Sequence, residues 1–146
     1  HPVDASLAYA ALNRFRAEKN VWVWNNDDQT KTYYNTDASN TLKPLERDSD
    51  LDELAKIRAK ELSIKFSHDC LDDSDWYAGL SYVCGENIAA GNIDALGATE
   101  LWKESYSDFS GQGHRRNMLY PEFNCVGIAG FEIDGFFFWV QCFAKK

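Results

Sequence analysis

The sequence predicts an α+β domain in which helices are layered on an antiparallel hairpin. Two stretches in the N-terminal half, residues 4–19 and 49–65, set apolar side chains at helical spacing. The last fifth of the chain switches to two β-rich runs joined by Asp134-Gly135, a strong hairpin signal. Irregular, glycine-bearing connections separate the two kinds of segment, and that combination fits a layered α+β architecture. The 146 residues form one expected domain, residues 1–146, long enough to bury a substantial core.

In chain order, Asp4 is the expected cap of a first helix whose Ala8, Ala11, Leu12 and Phe15 share one face. Val21-Trp22-Val23-Trp24 is β-prone, residues 25–28 supply turn chemistry, and residues 30–34 return to β-branched and aromatic types. A surface hairpin or an irregular insertion follows from that. After Pro44, Leu51, Ala55, Ala59, Leu62 and Phe66 line one stripe of a second helix over residues 49–65. The acidic run 69–75 reads as a solvated loop without calcium-loop spacing, and residues 79–91, with three glycines, read as irregular. Asp94 is placed to cap a third helix with Ala98, Leu101, Trp102 and Ser105 on one face. Residues 114–119 form a short helical turn closed by Pro121, and residues 126–133 and 136–143 are the closing strands.

The net charge of −8 repels phosphate backbones and anionic lipid surfaces, which argues against a nucleic-acid partner. No apolar run approaches the roughly 20 residues of a membrane-spanning helix. Cys70, Cys84, Cys125 and Cys142 are even in number and lack a Cys-x-x-Cys pair. Two disulfides and an oxidising, extracytoplasmic compartment are therefore expected, the other reading being four buried thiols. Three pairings are open. The five tryptophans read as core and loop anchors, and Arg115 and Arg116 as one surface cation and one packing or hydrogen-bonding partner.

Candidate chemistry rests on few residues. His68 follows the second helix, Glu86 stands in Gly85-Glu86-Asn87-Ile88, and His114 opens Gly113-His114-Arg115-Arg116-Asn117-Met118-Leu119. Two histidines and a glutamate are a common zinc ligand set and a workable acid–base group near neutral pH. Ser105, Ser107 and Ser110 are available nucleophiles, but no Gly-x-Ser-x-Gly elbow places one against a histidine.

These motifs carry a family resemblance. Gly85-Glu86-Asn87-Ile88 resembles the Gly-Glu-Asn-aliphatic signature of the superfamily of cysteine-rich secretory proteins, antigen 5 and pathogenesis-related 1, known as CAP. The Gly113 to Leu119 run is similar to the Gly-His-Arg-x-Asn-aliphatic-Leu form of its bacterial, SCP-like branch. Leu12-Asn13-Arg14-Phe15-Arg16 resembles the family's first helix, and residues 124–128 and 139–143 its closing strands; residues 21–41 have no counterpart. The resemblance implies a three-layer α-β-α sandwich around a central antiparallel sheet, with two histidines and two glutamates lining a cleft. His68, Glu86 and His114 match three of those positions. The second glutamate would fall at Ser105, with Glu104 one residue earlier; on a continuing helix that is about 100° of rotation, which turns Glu104 aside. Glu104 and Ser105 both stand as candidates. The resemblance also implies a Cys125–Cys142 bridge, provided that one or two bulge residues intervene in the hairpin, and leaves Cys70 to pair with Cys84.

The expected function is a secreted binding or interaction module for an extracellular ligand, with zinc or another divalent cation on His68 and His114 and no organic cofactor. One alternative is a metal-assisted, peptidase-like hydrolase using Glu86 and His114 as catalytic groups. The other is a lipid or sterol carrier.

Overall fold

The structure is a computed structural model and describes residues 1–25, 29–77, 83–105 and 111–146. In chain order the elements are β1 (Pro2–Val3), α1 (Ser6–Arg16), β2 (Val21–Trp24), β3 (Lys31–Tyr34), β4 (Glu46–Arg47) and α2 (Ser49–Leu62). They continue with β5 (Cys84–Gly91), α3 (Ala95–Lys103), α4 (Gly113–Leu119), β6 (Cys125–Ile133) and β7 (Phe136–Ala144).

The closing hairpin is the centre of the fold. β6 and β7 pair antiparallel from Ile133↔Phe136 to Cys125↔Ala144, and β5 adds to the far side of β7, Glu86 opposite Cys142. The strand order is β1-β6-β7-β5, with β4 beside β6 in the one parallel pairing among the described residues. Because side chains alternate across a strand, β7 sends Val140 and Cys142 to one face and Trp139 and Phe143 to the other. Helix α2 covers the first face with Leu51, Ala55, Ala59 and Leu62. Helices α1, α3 and α4 cover the second through Leu12, Phe15, Ala98, Trp102, Met118 and Leu119. That is a three-layer α-β-α sandwich with an antiparallel core sheet.

The Leu-Asn-x-x-Arg pattern of α1 has a physical role. Asn13 exchanges two hydrogen bonds with the backbone of Leu45, at 3.0 and 2.8 Å. Arg16, 1% exposed, donates to the carbonyls of Lys43, Met118 and Tyr120. Burial pushes its guanidinium down to about 10, against the opposing effect of Tyr34. These two residues fasten α1 to the chain entering β4 and to the end of α4.

Several local expectations change. Asp4 does not cap α1; the cap position is Ala5, and Asp4 instead accepts from the amide and hydroxyl of Ser6. Helix α2 ends at Leu62, so Phe66 lies beyond the apolar stripe and is 53% exposed. The buried face of α3 is Ala95, Ala98, Thr99 and Trp102, which leaves Leu101 outside. β2 and β3 pair antiparallel in register from Val21↔Tyr34 to Trp24↔Lys31, and residues 26–28, expected as a turn, lie outside the described residues. Residues 84–91, read as irregular, are a strand.

The structure holds all four cysteines as separate thiols, with neither expected bridge drawn. The β6–β7 ladder runs without a bulge, so Cys142 faces Gly127 and Cys125 faces Ala144, two residues out of register with each other. Cys84 lies opposite Ala144 on β5, and Cys70 sits in the turn after α2, its amide donating to the Ser74 carbonyl. Burial pushes all four thiols up, Cys142 most strongly, so they pack as neutral side chains.

Candidate functional site

His68, Glu86, Glu104 and His114 line one cleft of about 460 Å³, together with Gly111, Gly113, Arg116 and Asn117. Residues as far apart in the chain as His68 and His114 meet because α2, β5, α3 and α4 all deliver an end or an edge to one place.

The first half is built on Arg58. This side chain is fully buried within α2 and makes five hydrogen bonds. Nε and Nη2 grip both oxygens of Glu86 at 2.8 and 3.1 Å. Nη1 reaches Glu61 at 3.0 Å. The remaining two bonds go to the carbonyls of Ser67 and Asp69, the residues on either side of His68. Burial opposes the charge of Arg58, but the hydrogen bonds and charges of Glu86 and Glu61 outweigh it and hold the guanidinium above its ordinary range. His68 Nδ1 then lies 3.0 Å from Glu86 Oε1, with the imidazole 59% exposed and the carboxylate 1%.

The second half depends on a bend at the end of α3. The helix stops at Lys103, and Glu104 takes a left-handed conformation with φ 48°. The rotation that would turn Glu104 aside requires a continuing helix, so it does not occur, and Glu104 is the carboxylate that enters the cleft. Its Oε1 accepts from the amides of His114 at 2.9 Å and Arg115 at 3.2 Å, and Oε2 lies 2.8 Å from His114 Nδ1. Glu104 therefore caps α4, satisfying amides its own first turn leaves open and placing a negative charge at its positive end. Ser105 is elsewhere, its hydroxyl 3.4 Å from Arg115 Nη1; Ser107 and Ser110 lie outside the described residues.

A polar network joins the halves. Asn117 donates to the Glu86 carbonyl at 3.3 Å and to Asn87 Oδ1 at 2.9 Å, and Asn87 donates to the His114 carbonyl at 3.1 Å. Gly85 leaves room for this network, since a Cβ would stand 3.0 Å from Asn117 Oδ1 and 3.1 Å from Phe123 and press both side chains back.

Each half sets an imidazole Nδ1 against a carboxylate oxygen. A carboxylate only accepts hydrogen bonds, so the proton of each pair sits on Nδ1, and in the neutral form of the ring the lone pair is on Nε2. A metal-binding histidine has this arrangement, its other nitrogen held by a carboxylate. Imidazole nitrogens are donors of the type a divalent cation such as zinc takes. Among the described residues no group of three or more His, Cys, Asp or Glu is placed to hold one, so protein ligation would come from the two imidazoles, with oxygen donors from solvent or a ligand completing the sphere.

Sequence reasoning missed Arg58. The signal was present: Arg58 sits three residues after Ala55 and four before Leu62, on the apolar stripe of α2, where an arginine needs a buried acid.

The α-β-α sandwich is the fold of SCP-like domains. The model of the cysteine-rich secretory protein (CAP) family matches residues 9–143, and the chain belongs to that family. YkwD of Bacillus subtilis (strain 168) is 31% identical over 117 residues, covering 72% of this chain and 41% of YkwD. An extracellular SCP-domain protein of Bacillus anthracis str. Ames superposes with a TM-score of 0.56 at 26% identity, over 72% of this chain and 35% of that one. The chain thus spans less than half the length of either. An outer surface protein of Borrelia burgdorferi shares the fold over 100% of this chain and 98% of its own, with a TM-score of 0.67 and 17% identity. No helix among the described residues is long and apolar enough to cross a membrane.

Proposed function

We propose that this chain is an extracellular binding domain whose cleft holds a divalent cation, zinc foremost, on Nε2 of His68 and Nε2 of His114. The observation that carries this reading is the pairing of both Nδ1 atoms with carboxylates, at 3.0 and 2.8 Å, in one cleft. Glu86 and Glu104 fix the tautomer and orientation of the imidazoles from behind. Two protein ligands leave coordination positions for an oxygen donor of the extracellular ligand.

Binding is favoured over hydrolysis by the state of the carboxylates. A general base needs an oxygen within reach of the water it activates. Both oxygens of Glu86 are engaged by Arg58 and His68, and both of Glu104 by His114 and the α4 amides. Among the described residues the cleft walls are mainly charged and amide side chains and glycine, not the apolar lining that suits a lipid.

Calorimetric titration of chelator-treated protein with zinc should show one ion per chain, and zinc at 100 times its Kd should stabilise the folded state by about 2.7 kcal/mol. His68→Ala and His114→Ala should each abolish both signals. A flat titration of the folded wild-type protein would remove the metal reading.

A further inference from the structure

The His114–Glu104 half of the cleft rests on a residue that does not itself line it. Arg115 is 3% exposed and points away from the cleft, towards the β2–β3 hairpin. We propose that Arg115 is a positioning residue through which the seating of that hairpin sets the orientation of His114 and Glu104, and hence the cleft's affinity for a cation. The affinity part of this inference rests on the two-imidazole reading above; the orientation part does not.

Glu104 is the residue that needs support. A non-glycine residue at φ 48° carries a steric cost of roughly 1–2 kcal/mol, so its surroundings must hold it there. Arg115 does so twice. Its Nη1 donates to the Lys103 carbonyl at 2.9 Å, fixing the peptide that enters the left-handed residue, and its own amide donates to Glu104 Oε1 at 3.2 Å. Gln112 holds the carbonyl that leaves, at 2.9 Å.

The far side of the guanidinium belongs to the hairpin. Nε donates to the Trp22 carbonyl at 2.9 Å, and the charged group lies 4.0 Å from the Trp22 ring and 5.1 Å from that of Phe15. Trp22 is in turn locked within the hairpin, by Lys31 at 3.8 Å from its ring and by Trp24 edge-on at 6.2 Å. The chain of contacts runs from hairpin to Trp22, to Arg115, to the Lys103–Glu104 bend, to His114. A planar fork that bonds two carbonyls while stacking on a ring is specific to arginine. The His68 half has its own support in Arg58, so disturbing Arg115 should reach one histidine and not the other.

The test compares wild type, R115K and W22L as full chains, using imidazole 15N NMR without metal and calorimetry with zinc alone. In R115K the His114 ring signals should move and its Nδ1 proton should exchange faster, while those of His68 stay in place. Zinc affinity should fall about 10-fold or more, the usual effect of losing support behind a ligand. W22L removes one ring face only, so it should shift His114 in the same direction and weaken zinc roughly 3-fold; it decides the matter if R115K does not fold. Wild-type His114 signals and zinc affinity in the folded variants would overturn the proposal, as would equal movement of both histidines, which signals general loosening. If wild-type protein binds no zinc, the metal reading falls alone, and the His114 spectrum of R115K still decides the positioning role.

Discussion

Arg58→Met is expected to cost about 3–5 kcal/mol of folding stability, the range for removing one partner of a buried ion pair. The side chains of Arg58 and Glu86 are 0% and 1% exposed, so the substitution strands a carboxylate where water cannot replace the lost donors. The carbonyls of Ser67 and Asp69 lose their donor at the same time, and with them the segment carrying His68 loses its anchor to α2. Thermal unfolding should show a midpoint lower by roughly 10 °C. The double variant Arg58→Met, Glu86→Leu should recover much of that loss, because replacing both members of a buried pair by apolar groups is close to neutral. A single variant within about 1 kcal/mol of wild type by denaturant titration would mean that this pair is solvated in solution.

Gly127→Ala should be comparably damaging for a steric reason. Gly127 faces α2 from β6, and a Cβ there would stand 2.1 Å from the carbonyl carbon of Leu51 and 2.5 Å from the amide nitrogen of Asp52. Both are backbone atoms in the first turn of α2, so no side chain can swing aside. The helix must lift off the sheet, opening the packing of Leu51, Ala55 and Ala59 on Val140 and Ala129. About 3 kcal/mol is the upper part of the usual overpacking range, and a rigid helix end places this site there. Chemical denaturation measures it, and a loss under about 1 kcal/mol would show that α2 does not rest on Gly127.

The parts of the fold that can be read from sequence are those whose signal is local. The β6–β7 hairpin announces itself through Asp134-Gly135, and α2 through its stripe, reinforced in the structure by the Asp48 cap that accepts from Leu51. Strand β5 does not, because Gly85, Ala89, Ala90 and Gly91 have little strand preference and its partner β7, Phe136–Ala144, lies far along the chain. The site is half legible. His68, Glu86 and His114 emerge through motif resemblance, which implies their convergence before any coordinate does. The choice between Glu104 and Ser105 is not legible in the sequence because nothing marks where α3 stops: a glycine would signal the left-handed bend, but the chain uses a glutamate held there by tertiary contacts. The bulge that would bring Cys125 opposite Cys142 is likewise not legible in the sequence, and the β6–β7 ladder runs without one.

Whether two imidazoles offer their Nε2 lone pairs to one cleft is tested most directly by 15N NMR of the histidine rings at neutral pH. In metal-free protein, His68 and His114 should both show the Nδ1–H tautomer, and one equivalent of zinc should move both Nε2 signals together. A proton on Nε2 of either ring, or zinc moving only one of them, would contradict the shared site.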